Sequence, residues 1–432
     1  VGGEIAAREV RAMTEAFLNN ARAPTEVPLK RSLKRAERAR QIKALALIVP
    51  LLLFLLFTFA GPIAGMLWRA VDDWEVPQVL PHTVSALVDW DGKDLPDERA
   101  HAALADDILA ARATGTIAIA AKRLNYALNG FRTILTSTAR NLKAAPEPGT
   151  ARETLGKINP AWRERATWAA IKRASGPVTD FYLLAALDLT RDVEGAIVAA
   201  APDQAIYRDV FARTFTISLS ITVLCLILGF PVAYLLATLP PSRSNLLMIF
   251  VLLPFWTSLL VRTCAWIVLL QSNGVVNDSL RWLSVIDAPT RLIYNRFGVY
   301  VAMTHVLLPF MILPLYSSMK AISPAYMRAA ASLGAPPVTA FLRIYLPQTL
   351  PGIGAGGLLV FILALGYYIT PALVGGAADQ MISYFIALYT TETANWGLAS
   401  ALGAVLLLAT LLLAAVYGKL VHGQQVGGGM KH

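Results

Sequence analysis

Two ionisable side chains sit where a greasy segment pays for them. Arg262 falls in the apolar run 246–270 and His305 in the run 298–319. A charge or titratable ring in hydrocarbon is costly and marks a polar path or a helix–helix contact. Arg262 follows TSLLV and precedes an aromatic–aliphatic stretch, so its guanidinium suits either a cavity or an interhelical pair. His305 suits a solute contact or an interhelical donor equally. Trp256, Trp266, Tyr367 and Tyr368 offer ring faces for cations, or packing and interface anchoring. With Thr370 these residues form the candidate lining of a polar path. The chemistry they allow is recognition by charge, ring face and hydrogen bond.

Bond-making chemistry has no counterpart in the sequence. No nucleophile–base pair, carboxylate pair or metal set falls within the apolar runs. No GxxxxGK[ST] is present to cradle nucleotide phosphates. Cys225 and Cys264 lie within apolar runs and read as packing residues, with no disulfide framework and no Cys/His metal spacing. The chain is expected to be non-catalytic and to bind no cofactor or metal. Asp278, Asp287, Asp379 and Glu392 are expected in external loops, which leaves the apolar runs without carboxylates.

The segment Ser323–Pro347, SPAYMRAAASLGAPPVTAFLRIYLP, is polar punctuation between two apolar runs. Ser323 is a predicted N-cap with Pro324 at the first helical position, and Gly334 suits a left-handed stop. Pro336 or Pro337 opens a second short helix that Pro347 is expected to close. Ala329, Ala330 and Ala331 allow close backbone approach. Phe341 and Tyr345, four apart, share a face that can pack against a partner, and Arg328 and Arg343 can meet acids on it.

The elements that must hold these residues are membrane helices. Hydrophobic residues make up 56% of the 432, which disfavours a water-soluble globule. A helical span needs about 20 mostly apolar residues, and the runs 44–68, 211–239, 246–270, 298–319, 350–372 and 398–420 approach that length. The first is too long and starts too far into the chain for a cleaved signal, so an uncleaved span is expected. The net charge of +10 is concentrated in part in 1–43, which carries Arg8, Arg11, Arg22 and Lys30 and in which Arg31, Lys34, Arg35, Arg38, Arg40 and Lys43 crowd the first span. Their juxtamembrane position argues for a cytoplasmic N-terminus and against a nucleic-acid contact. Alternation then places 240–245, 320–349 and the tail 422–432 inside, where Arg243, Lys320, Arg328, Arg343 and Lys419 agree with it. Residues 69–207 form an external insertion of domain size. The stretches 101–113, 117–142, 160–174 and 178–189 carry helical periodicity. Trp162, Trp168, Phe181 and Tyr182 are its expected core, and it reads as a packed helical cap or a docking platform.

Ser323–Pro347 resembles the EAA loop of bacterial ABC-importer permeases. The match is carried by Arg328-Ala329-Ala330, Gly334, Phe341 and Leu346-Pro347, with Arg328 where the family has an acid. Over most of 205–421 the chain is most similar to the spermidine/putrescine-type, PotB-like permeases. Val261–Trp266, Ser272–Asn277, Gly366–Pro371 and Gly375-Gly376 look like their third and fifth spans. The resemblance implies an all-α membrane protein with six transmembrane helices of type I importer architecture and a helical extracytoplasmic insertion. Its divisions would be a basic segment 1–43, a span 44–68, the insertion 69–207, a five-helix core 208–421 with coupling loop 320–349, and the tail. It implies an inner-membrane permease subunit moving polyamines or a related small solute. Partners would be two copies of an ATP-binding subunit that holds ATP and Mg, a second permease, a solute-binding protein and lipid. An anionic or neutral solute (an opine, amino-acid derivative or phosphonate) and a sensor or scaffold acting through 69–207 are the alternatives.

Overall fold

The computed structural model describes residues 29–427. The expectations for Arg8, Arg11 and Arg22 and for the extreme C-terminus therefore lie outside the described residues. The chain divides into two compact units, 1–65 and 66–432. In the first, the helix Leu29–Leu55 passes into a π turn at Leu56–Ala60, where the Gly61 N–H donates five residues back to Leu56 O. Pro62 follows at once. A proline ring collides with the carbonyl four residues behind it, here Thr58, and widening that turn moves the carbonyl aside.

Among the described residues six helical segments are long and apolar enough to span a membrane: Leu45–Trp68, Tyr207–Thr238, Leu259–Trp282, Arg296–Lys320, Pro337–Gly366 and Trp396–Lys419. The fourth is central, with 61% of its most apolar stretch buried against 28% for the second and 22% for the last. Ile217, Ile221, Cys225, Met303, Leu307, Met311, Leu315 and Val360 interlock the second, fourth and fifth. The fifth approaches the fourth closely because Gly352 has no Cβ, which would stand 2.5 Å from that of Ser318.

Two spans depart from the sequence expectation. The run 246–270 is not one helix. It breaks into Pro241–Leu252, a 3₁₀ turn Leu253–Trp256, extended backbone at Thr257, and Leu259–Leu270, which continues through a turn to Val275–Trp282. Pro254 lacks the N–H that a continuing helix requires there. The fifth span starts earlier than 350, at Pro337, and ends at Gly366, before a short helix Ile369–Val374. Pro347 does not close a helix. A π turn at Phe341–Tyr345 precedes it, with Leu346 N–H donating to Phe341 O, the same offset as at Pro62.

Residues 75–173 form a helical body around Leu104, Ile108, Leu124, Phe131, Leu135, Trp162 and Trp168. Trp162 donates its indole N–H to Thr138 Oγ1 at 2.8 Å, and Trp168 donates to Trp162 O at 2.9 Å. The expected helix 117–142 divides at Leu128–Gly130 into Ile117–Ala127 and Phe131–Asn141. A hairpin, Leu189–Arg191 against Ile197–Ala199, was not expected from the helical pattern. Phe181 and Tyr182 leave the insertion's core. They join a separate cluster with Tyr207, Val210, Ile382, Leu398 and Leu402 that fastens the insertion to the second and last spans.

Candidate functional site

The knuckle at 323–335 is built by its own caps. Ser323 Oγ accepts the Ala325 N–H at 3.3 Å, Pro324 opens the helix Pro324–Ser332, and Gly334 turns left-handed at φ +81°. Gly334 N–H then donates to Ala331 O and Ala335 N–H to Ala330 O, both at 3.0 Å. These paired bonds are the Schellman arrangement, which satisfies carbonyls at a helix end without a further turn. Ala330 is buried, while Arg328, Ala329 and Arg343 are exposed. Among the described residues neither arginine has an ion-pair partner.

Phe341 and Tyr345 do share a face, but it turns inward. Their rings stack at 5.5 Å, and Phe341 meets Phe230 and Tyr234 edge-on at 6.2 and 5.9 Å. Tyr345 meets Tyr234 at 5.5 Å. The pair thus ties the loop to the second span. Leu346 is half-buried behind it and Pro347 exposed. The apolar side chains presented outward are ones the sequence reading passed over: Leu333 at 89% exposure, Val338 at 69%, Tyr326 and Leu342. Leu333, the apolar C-cap next to the stop glycine, was the available signal.

The candidate path residues fall into two groups. Trp266 donates its indole N–H to His305 Nδ1 at 3.1 Å, with the rings edge-to-face at 5.4 Å. That bond makes Nδ1 an acceptor and leaves the imidazole proton on Nε2. Arg262 Nε is buried without a hydrogen-bond partner among the described residues. Trp266 and Tyr367 both pack against the core shared by the second, fourth and fifth spans. Thr370 is fully buried and meets Thr263 Oγ1 at 3.3 Å; Thr263 in turn donates to Leu259 O, so it stitches the third span to Ile369–Val374. Trp256 stands apart, 77% exposed, and Tyr368 is exposed beside the break after Gly366. Helix breaks at Thr257 and Tyr367 leave backbone groups that are tolerated in a membrane only beside protein or a watery cavity.

Asp379, expected in an external loop, lies in the short turn Ala377–Asp379, where it is buried and accepts from Arg296 Nε at 3.0 Å. No cluster of His, Cys, Asp and Glu able to hold a metal occurs among the described residues.

Residues 205–424 match the family model of the binding-protein-dependent transport system inner membrane component. The chain belongs to that family. This permease is 36% identical over 212 residues to the spermidine/putrescine transport system permease protein PotB of Escherichia coli (strain K12), a match covering 49% of this chain and 77% of that protein. PotB of Haemophilus influenzae is 35% identical, with 49% and 74% covered. The inner membrane ABC transporter permease protein YdcU of Escherichia coli (strain K12) is 33% identical, with 39% and 57% covered. A bacterial alginate ABC transporter solved with an alginate pentasaccharide-bound periplasmic protein has a chain 20% identical at a TM-score of 0.40, with 49% and 76% covered. The permease is accordingly a multi-pass inner-membrane subunit of an ABC importer. Its insertion up to residue 204 lies outside the family match.

Proposed function

We propose that this permease supplies half of the translocation path of a polyamine importer and couples to its ATPase through 323–347. The observation that carries the substrate class is the 36% identity to PotB across 77% of that relative. The coupling role is supported by a self-capped knuckle whose outer face shows Leu333, Val338 and two unpaired arginines. In this reading ATP and Mg sit on two copies of a separate ATP-binding subunit, a second permease closes the path, and a solute-binding protein delivers cargo. Both termini are cytoplasmic and residues 69–207 face outward as a helical domain. Nucleotide-driven closure of the ATPases moves the knuckle and switches the core between two access states, a rigid-body bias. Arg328 and Arg343 would pair with acids on the ATPase. Trp256, Trp266, Tyr367 and Tyr368 would offer ring faces to ammonium groups.

Arg262 favours a second reading, an anionic solute, because its guanidinium has no ion-pair partner among the described residues and its Nε is buried without an acceptor. Competition of labelled spermidine uptake by unlabelled polyamines and by small organic anions separates the two readings. Gly334→Pro tests coupling: ATPase association and uptake should both fall, and normal values for both would sink the coupling role and favour a scaffold.

A further inference from the structure

The Arg123 side chain is almost fully buried in the insertion. Two of its nitrogens are bound to Asp73, at 2.8 and 2.5 Å, while Nη1 has no acceptor among the described residues. A buried charged donor left unpaired is costly, so an incoming acceptor gains more there than on the surface. Arg123 is also a wall of a cavity of about 440 Å³, within the size range of small-molecule pockets. The charged walls are Arg123, Arg173, Arg191 and Asp180, three cations to one acid. The acids there are already engaged. Asp180 accepts from Arg191 Nε and Nη2 at 3.0 and 2.6 Å, and Asp192, next in the chain, takes the Ala196 N–H on Oδ1 at 2.8 Å. Arg173 has no carboxylate partner among the described residues, and its Nη1 donates only to the carbonyls of Arg191 and Asp192, at 2.6 and 2.9 Å. Thr179 Oγ1 accepts the Phe181 N–H at 3.1 Å, which leaves its own proton to donate. Val71, Val178 and Leu184 supply apolar wall. Spare donors beside engaged acids call for an anionic acceptor, and the apolar wall calls for a hydrocarbon body.

From this arrangement we infer a binding site for a small organic carboxylate inside the insertion, its charged end held by Arg173 and Arg123 and its hydrocarbon part by Val71, Val178 and Leu184. A ligand there joins the helices Ile117–Ala127 and Arg165–Arg173 to Phe181–Ala186, the helix that packs onto the second and last spans. The site lies outside the family match and does not depend on which solute the spans carry.

The test uses the full chain in lipid nanodiscs, labelled hexanoate as the probe and empty nanodiscs as the background. Acetate should compete about tenfold less well than unlabelled hexanoate for want of the hydrocarbon body, and hexylamine should not compete. Arg173→Gln should weaken hexanoate binding by about tenfold or more. Asp180→Asn removes the acid from the wall and frees Arg191, so it should tighten binding, an effect that misfolding does not produce. The Asp180–Arg191 pair is half-exposed, and its loss leaves the fold intact. Opposite shifts in the two variants support the site. No hexanoate binding to the unaltered chain, equal competition by hexylamine, unchanged binding in Arg173→Gln, or weaker binding in Asp180→Asn overturns it. Spermidine uptake by the complete assembly is a separate measurement and decides the importer reading on its own.

Discussion

Trp266 fixes the tautomer of His305: the indole N–H reaches Nδ1 at 3.1 Å, so the imidazole can only donate from Nε2. Trp266→Phe keeps the apolar ring and deletes the donor. Its effect on the uptake KM should depend on His305, with a coupling of about 1 kcal/mol in a cycle with His305→Leu. Additive effects would show that the two side chains act separately.

The inward turn of Phe341 and the outward turn of Leu333 predict opposite phenotypes. Phe341→Ala removes contacts with Phe230, Tyr234 and Tyr345, and should lower the thermal midpoint of the purified chain. A buried aromatic truncation costs about 3–5 kcal/mol, and less is expected for this half-buried ring. Leu333→Ser, on a side chain 89% exposed, should leave that midpoint unchanged and weaken ATPase association. Loss of association in Phe341→Ala with an undiminished midpoint would reverse the assignment of faces.

The difference between what could and could not be read in advance follows the range of the interactions. Ser323, Pro324 and Gly334 act on their own turn, so their roles were visible in the residue order. The facing of Phe341 was not, because Tyr234 stands more than a hundred residues earlier and only packing brings them together. Proline also misled: Pro347 reads as a stop, but a π turn lets the helix run through it. At Pro254 the opposite occurred, and an apolar run long enough for one span was broken in two. Of the path residues, Trp266 and His305 proved to be partners, whereas Trp256 stands exposed. In the insertion, the tryptophans announced a core, but Tyr182 was claimed by the membrane helices.

Arg123 and Asp73 are both almost fully buried, and their paired hydrogen bonds leave one guanidinium nitrogen, Nη1, without an acceptor. The guanidinium lies over Phe181 at 4.5 Å and Tyr182 at 5.1 Å. Removing one member strands the other. Arg123→Leu should cost about 3–5 kcal/mol locally, read as lost amide protection over residues 117–127 in the full chain. Asp73→Leu/Arg123→Leu should regain much of it, since no charge remains buried. A double variant as unprotected as Arg123→Leu would mean that the ring contacts, and not the ion pair, hold this junction.

His101 supplies a pH dependence whose sign follows from its surroundings. The ring is buried at 4.5 Å from Trp168, Nδ1 bonds the Asp97 carbonyl at 2.8 Å, and Nε2 has no partner. Burial lowers its pKa below the ordinary 6.5, against the opposing pull of the Asp97 carbonyl and the Glu98 and Asp97 charges, while the Arg152 charge adds to the lowering. The unfolded segment therefore takes up a proton at a higher pH than the folded one. Stability is full above the ordinary value and declines as pH falls from there through the folded pKa. Amide protection over 98–114 and 165–173, corrected for intrinsic exchange, should drop as the pH falls below the ordinary histidine value of 6.5. His101→Gln keeps an N–H for the Asp97 carbonyl but cannot titrate in that range, so it should flatten the dependence. A slope that survives the substitution would assign the titration to another group.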